Sequence, residues 1–222
     1  MKKKKIVYLG LSADILHEGH INILKTASRL GEVVVGLLTD EAISTYKKIP
    51  YLNFKQRQII LKNIKYVSKV IPQKTLDYTY NLKLVKPDFV VHGDDWKTGV
   101  QKKTRSKVIK VIKKWGGKLI EPKYTENISS SKIKESIYKL GTSPQSRVSR
   151  LKRLMEVKKI VRILESHNSL TGLIIENLNL SDKGEYLEFD GMWSSSLTDS
   201  LTRGKPDNQS VDYSTRISGL NE

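Results

Sequence analysis

Asp14-Ile15-Leu16-His17-Glu18-Gly19-His20 is the stretch on which the reading turns. The apolar run Ile6-Val7-Tyr8-Leu9 precedes it and an amphipathic run over 21–30 follows it. The stretch therefore spans the turn from a strand into the N-terminus of a helix. Such a turn aims unpaired backbone N–H groups, and the positive end of the helix dipole, at one point that suits a phosphate. Gly19 lets the backbone approach closely, and His17 and His20, three apart, share a helix face. Two imidazoles, helix N–H groups and a glycine make a site for an anion whose charge grows during reaction. A metal pair is the rival reading, but the His-Glu-x-x-His spacing is absent.

Outward from this turn, strands and helices alternate. Strands are expected over 5–10, 33–38, 67–72, 88–92 and 117–121, and helices over 19–30, 54–65, 75–86, 107–115 and 128–140. Val33-Val34-Val35-Gly36-Leu37-Leu38 is continuously apolar, the pattern of a parallel strand covered on both faces. Asp40 and Glu41 read as the start of a helix, and 47–51 as a loop. The alternation predicts an α/β unit with five parallel strands and helices on both sides. In such sheets the ligand lies beyond the strand C-termini, where strand order reverses. The histidine stretch follows the first strand, Gly93-Asp94-Asp95-Trp96 the fourth and Ser129-Ser130-Ser131 the fifth. All three are expected on one edge. No G-x-G-x-x-G or P-loop pattern is present, which disfavours a redox dinucleotide and a P-loop nucleotide site.

The chain has 222 residues, 40 of them Lys or Arg against 23 Asp or Glu, for a net charge of +17. The lysines are scattered through every segment with little aromatic interleaving, so most of the charge is expected on solvated faces. Small anions are the expected partners, and nucleic acid is disfavoured. No cysteine occurs, which removes disulfides, thiolate metal sites and cysteine nucleophiles. No apolar run reaches membrane-spanning length. The four lysines after Met1 lead into a strand-like run without a cleavage site, the expected start of a cytoplasmic protein. Gly141-Thr142-Ser143-Pro144 breaks the pattern. The expected division is 1–141, a linker at 142–150, and a second unit at 151–222. In that unit 148–164 is a basic amphipathic run, 168–179 a helix and 189–196 a strand. About seventy residues are too few for an α/β barrel.

With these residues in hand, 5–140 resembles a cytidylyltransferase of the nucleotidylyltransferase superfamily, which includes the glycerol-phosphate and phosphocholine enzymes. The matching motifs are His17-Glu18-Gly19-His20 with Asp14 upstream, Thr39-Asp40-Glu41, a loop lysine at Lys47 or Lys48, Arg57, and Gly93-Asp94-Asp95-Trp96. A second signature, Arg-Thr-x-Gly-Ile-Ser-Thr-Thr, falls at 124–131. Tyr124 stands for its arginine and Asn127 for its glycine, with Lys123 adjacent to supply charge. The resemblance implies a Rossmann-like domain in which His17, His20, Lys47 and Arg57 are catalytic. It implies a CTP site built from Leu9, Gly10, Leu11, Ser12, Asp14, Gly19, Gly93, Asp94, Trp96, Ile128, Ser129, Ser130 and Ser131. Mg²⁺ is implied as a cofactor carried on the phosphates rather than in a protein cage.

The tail resembles the start of phosphoenolpyruvate mutase, a barrel isomerase. The matches are Glu165-Ser166-His167-Asn168, the run from Phe189 to Ser200, and Gly204-Lys205-Pro206-Asp207. Trp193, Ser195 and Asp207 correspond to active-site positions in that family. The tail is expected to form the incomplete start of an α/β barrel, inactive alone. The pairing implies phosphonate biosynthesis and CMP transfer from CTP to 2-aminoethylphosphonate, with glycerol phosphate or phosphocholine as alternative acceptors. A homo-oligomer is expected.

Overall fold

A computed structural model describes residues 4–97, 101–123, 125, 133, 144–182, 185–208, 211, 212, 214, 215 and 218. The chain separates into two units, 1–149 and 150–222.

In the first unit the elements run β1 Ile6–Leu11, α1 Glu18–Ser28, β2 Glu32–Leu38, α2 Asp40–Ser44, α3 Phe54–Lys62, β3 Lys69–Gln73, α4 Thr79–Val85, β4 Phe89–Val91, α5 Lys102–Ile112 and β5 Lys118–Ile120. All five strands pair in parallel, in the order β3-β2-β1-β4-β5. This is the five-stranded parallel sheet expected from the alternation of strand and helix, and the Rossmann-like domain that the resemblance implies. Side chains alternate across the sheet. Val7, Leu9, Val33, Val35, Leu37 and Val91 join Leu24 and Ala27 of α1 and Leu61 of α3 in one apolar cluster. Tyr8, Val34 and Val90 join Tyr78, Leu82 of α4 and Val108, Val111 and Ile112 of α5 in the other. Both faces are covered, which is why the strands read as unbroken apolar runs.

Several boundaries move, each for a local reason. α4 begins at Thr79, not near 75, because Thr75 Oγ1 donates to Asp77 O (3.1 Å) and Asp77 Oδ1 accepts from Thr79 N (2.9 Å). These side-chain bonds hold a turn in place of a first helical turn. α5 begins at Lys102, earlier than 107, because its first turn is polar and its apolar spacing starts only at Val108. The helix expected over 128–140 lies almost entirely outside the described residues, as do Ile128, Ser129, Ser130 and Ser131.

The strand order reverses between β1, β2 and β4. β1 lies between β2 and β4, so the crevice for a ligand is at the C-terminal ends of β1 and β4.

The second unit holds α6 Pro144–Val157, which begins before the unit boundary, then β6 Ile163–Glu165, α7 Ser169–Asn177, β7 Asn179–Asp182, β8 Glu185–Glu188, β9 Gly191–Trp193 and α8 Ser196–Thr202. The stretch read as a linker is helical from Pro144. β6 pairs with β9 in parallel and β7 with β8 antiparallel. Asp190 anchors β9 by accepting from Lys158 Nζ and from Arg162 N (3.0 Å). The result is one strand–helix–strand crossover with a hairpin inserted. Among the described residues two parallel strands close no barrel. Trp193 is 63% exposed on β9, Ser195 caps α8 by accepting from Thr198 N (3.4 Å), and Asp207 is exposed.

Candidate active site

A cavity of about 320 Å³ opens at that crevice. Its walls are the end of β1 (Leu9, Gly10, Leu11, Ser12), the first turns of α1 (His17, Gly19, His20, Asn22, Ile23, Thr26), Tyr46 and Lys47, and the end of β4 (Val91, His92, Gly93) with Asp95. Tyr78, Gln101, Thr104, Lys123 and Thr125 also face it.

His17 stands at the N-cap of α1 with extended backbone (φ −141°, ψ 174°), where Ser, Thr, Asp or Asn is usual. Its backbone N–H donates to His20 Nδ1 at 3.4 Å. The two imidazole centroids lie 4.1 Å apart with planes at 58°. His17 Nδ1 is buried and has no hydrogen-bond partner among the described residues. A Cβ on Gly19 would sit 3.0 Å from that ring, so any larger residue crowds the imidazole. The helix thus begins with two histidines that line the cavity, one of them also accepting the N-cap N–H.

Burial lowers the proton affinity of His17, with Glu18 opposing the shift. His20 is pushed down to about 4, first by burial and then by the neighbouring His17 and Lys47. Both rings are neutral near pH 7. Since a backbone N–H can only donate, neutral His20 keeps its proton on Nε2, a donor suited to a phosphate oxygen.

Lys47 Nζ donates to Ser12 Oγ at 3.2 Å, and the same turn carries Tyr46, whose phenol burial pushes up to about 12. Of the two loop lysines proposed from the sequence, Lys47 is the one on the wall. Gly10 is required at its position, because a Cβ there would lie 2.2 Å from Tyr78 Oη. That hydroxyl donates to Gly10 O at 3.4 Å.

Arg57 is not brought to the cavity. Its side chain is fully buried, with Nη2 2.5 Å from Asp40 Oδ1, Nη1 donating to Ser12 O and Nε donating to Leu52 O at 3.1 Å. The expected chelation of phosphate oxygens gives way to a scaffold in which the guanidinium holds the loop after β1. Asp14 is also buried off the wall, its Oδ1 accepting from Leu52 N (3.0 Å). Asp40 serves Arg57 and also accepts from Phe54 N at 3.3 Å. Asp94 opens a single 3₁₀ turn, Asp94–Lys97, and Trp96 is 1% exposed in the core.

Sequence reasoning passed over His92. It stacks on Trp96 with centroids 3.8 Å apart and planes within 4°. Trp96 Nε1 donates to Glu121 Oε1 (2.7 Å), and Glu121 receives two bonds from Arg105, each 2.8 Å. The Arg105 bonds hold the Glu121 carboxyl down at about 2. The adjacent Gly-Asp-Asp-Trp motif was the available signal. Asn22 and Thr26, one helical turn apart on α1, were a second; Asn22 Nδ2 donates to Thr125 Oγ1 at 3.4 Å.

Among the described residues no group of three or more His, Asp or Glu side chains could hold a metal ion. Likewise no described helix is long and apolar enough to cross a membrane.

A helix start carrying two histidines opens onto the cavity at the switch point of this Rossmann-like sheet. The chain matches the Cytidylyltransferase-like family over residues 8–136, and it belongs to that family. Glycerol-3-phosphate cytidylyltransferase of Bacillus subtilis (strain 168) is 34% identical over 143 residues, 60% of this chain and 97% of that protein. Ethanolamine-phosphate cytidylyltransferase of Dictyostelium discoideum is 36% identical over 135 residues, 60% of this chain and 36% of that protein. Among solved structures, the lipopolysaccharide core biosynthesis protein of Thermoplasma volcanium GSS1 aligns at 28% identity and a TM-score of 0.48, covering 55% of this chain and 100% of that one.

Proposed function

We propose that the chain transfers CMP from CTP to a small acceptor bearing a phosphate monoester, releasing pyrophosphate. The observation that carries this reading is the convergence of His17, His20 and Lys47 on one cavity at the N-terminus of α1. An acceptor oxygen attacks the α-phosphorus in line, a new P–O bond forms, and the bond to the β-phosphate oxygen breaks with its electrons leaving on pyrophosphate. No covalent intermediate with the protein is needed, so catalysis is positioning plus charge stabilisation. The His20 Nε2–H and His17 donate to phosphate oxygens as charge builds on the leaving group. One such donor is worth about 3 kcal/mol, roughly a hundredfold in rate. Lys47 adds a cation and Ser12 a hydroxyl at the end of β1. Mg²⁺, when bound to the triphosphate, would offset its charge and polarise the reacting phosphate.

The two relatives, a glycerol-3-phosphate and an ethanolamine-phosphate cytidylyltransferase, support a phosphate ester of a small alcohol as acceptor. A phosphonate, 2-aminoethylphosphonate in particular, is the second reading. It is favoured by the mutase-like run from Phe189 to Ser200. Both acceptors offer the same dianionic head to the cavity.

Pyrophosphate release should be followed with CTP and, in turn, glycerol 3-phosphate, ethanolamine phosphate, phosphocholine and 2-aminoethylphosphonate. CTP-dependent release with one of the four is expected, and that acceptor names the substrate class. Release with none of them, from protein that binds CTP, would overturn the proposal.

A further inference from the structure

Two histidines on the cavity wall present opposite hydrogen-bonding characters, because the backbone fixes their tautomers differently. His20 Nδ1 receives a backbone N–H (3.4 Å), so its Nε2 is a donor. His92 is wired the other way. Its Nδ1 lies 2.8 Å from the Gly93 carbonyl oxygen, with Asp95 Oδ1 near the same atom at 3.7 Å. A carbonyl oxygen can only accept, so Nδ1 carries the proton and neutral Nε2 is a bare lone pair. Trp96 stacks on one face of the ring, and the bonds that Glu121 accepts from Trp96 and from Arg105 hold that indole in turn. The ring cannot exchange its two nitrogens without giving up the Gly93 bond.

A lone pair on this wall repels phosphate oxygens and attracts an N–H or O–H group. Resting on the cytidylyltransferase reading above, we propose that His92 is a specificity-determining residue whose Nε2 accepts a hydrogen bond from a donor group of a bound substrate. Two substrate parts carry that chemistry: the exocyclic amine of cytosine, which uracil replaces with a carbonyl, and an ammonium or hydroxyl head on the acceptor. The wall would reject analogues that present an oxygen lone pair or a methyl group at that point, since the ligand would then cover the acceptor and leave it unpaired.

The test is equilibrium binding of two ligand pairs, CTP against UTP and ethanolamine phosphate against ethyl phosphate, to the full chain and to two variants. His92→Phe keeps a ring on Trp96 and removes the lone pair. His92→Gln places an amide oxygen near the Nε2 position. In the unsubstituted protein at least one pair should be discriminated. In His92→Phe that preference should fall roughly three- to tenfold, the size of one neutral hydrogen bond, and His92→Gln should recover part of it. A fall in the nucleotide pair assigns the amine of cytosine; a fall in the acceptor pair assigns the acceptor head. A purely structural role would weaken both members of a pair equally. The inference is overturned if the starting protein discriminates neither pair, if both preferences survive in His92→Phe, or if His92→Gln recovers nothing. Binding is read without turnover, so absent pyrophosphate release with these preferences intact counts against the proposed reaction and not against His92.

Discussion

The N-terminus of α1 and the buried cluster around Arg57 both contain basic groups singled out from the sequence for phosphate chemistry, and they differ in what those groups face. His17 and His20 line an open cavity, and His17 Nδ1 lacks a partner among the described residues. Arg57 is wholly enclosed, with every guanidinium nitrogen bonded to Asp40, Ser12 O or Leu52 O. One region keeps hydrogen-bonding capacity in reserve; the other has spent it on the fold. The two meet at Ser12, whose carbonyl Arg57 holds and whose hydroxyl Lys47 reaches. A motif position therefore identifies the neighbourhood of a site but not which side chain touches the substrate.

The comparison breaks most visibly at Arg57. Arg57→Met takes the guanidinium away from the buried Asp40 carboxylate and strips donors from the carbonyls of Ser12 and Leu52. Removing one member of a buried pair costs about 3–5 kcal/mol, so chemical denaturation should show a loss of that size. The double variant Arg57→Met/Asp40→Leu should be less destabilised than the sum of its single variants, because the two side chains form one buried ion pair. A single Arg57 variant with unchanged stability and lost turnover would return the arginine to the catalytic set.

At α1 the expected effects reverse. His20→Ala should lower CTP-dependent pyrophosphate release by roughly a hundredfold, about 3 kcal/mol of lost charge stabilisation. Its denaturation midpoint should shift far less than that of Arg57→Met. Full activity in this variant would remove the histidines from the mechanism.

Acid sharpens the same contrast. His20 titrates near 4 when folded, against an ordinary value of about 6.5. The unfolded chain therefore binds the proton more readily between those values. Stability from this group is full above about 6.5 and is lost as pH falls toward 4. Between pH 6.5 and 4.5 the loss should be about 2 kcal/mol. Denaturation of His20→Gln across this range should show a shallower slope than the original chain; equal slopes would mean that His20 is not held neutral by its surroundings.

What was legible in the sequence follows from how local each signal is. The parallel sheet announces itself because both faces of β1 and β2 are covered, which forces continuous apolar runs. The histidine pair is legible because a strand, a turn and a helix start lie within twenty residues. Arg57 was misplaced because its partner Asp40 lies seventeen residues earlier, and only the packed chain brings them to 2.5 Å. His92 was passed over because its chemistry depends on Trp96 for the stack, Gly93 for the proton and Glu121 beyond. In the second unit, β6 overlaps the end of the basic amphipathic run 148–164, and only its pairing with β9, across 163–193, makes it a strand. Signals carried by spacing survive in one dimension; those carried by a distant partner do not.

Lys47 and Lys48 provide the finest cut between the two regions. They are adjacent and chemically identical, so sequence cannot choose between them. The structure places Lys47 on the wall with its ammonium on Ser12 Oγ, the hydroxyl of the residue that Arg57 holds. A triphosphate entering the cavity would compete for that ammonium, and a charged hydrogen bond of this kind is worth about 1.5–3 kcal/mol. Part of it replaces the bond to Ser12, so the net gain should lie near the lower end. Lys47→Ala should therefore raise the KM for CTP about tenfold. The KM for the acceptor should change less, and Lys48→Ala should leave both within about twofold. Equal effects from the two lysines would show that the loop acts through its summed charge, and the distinction between a group on the wall and one beside it would then fail at this position.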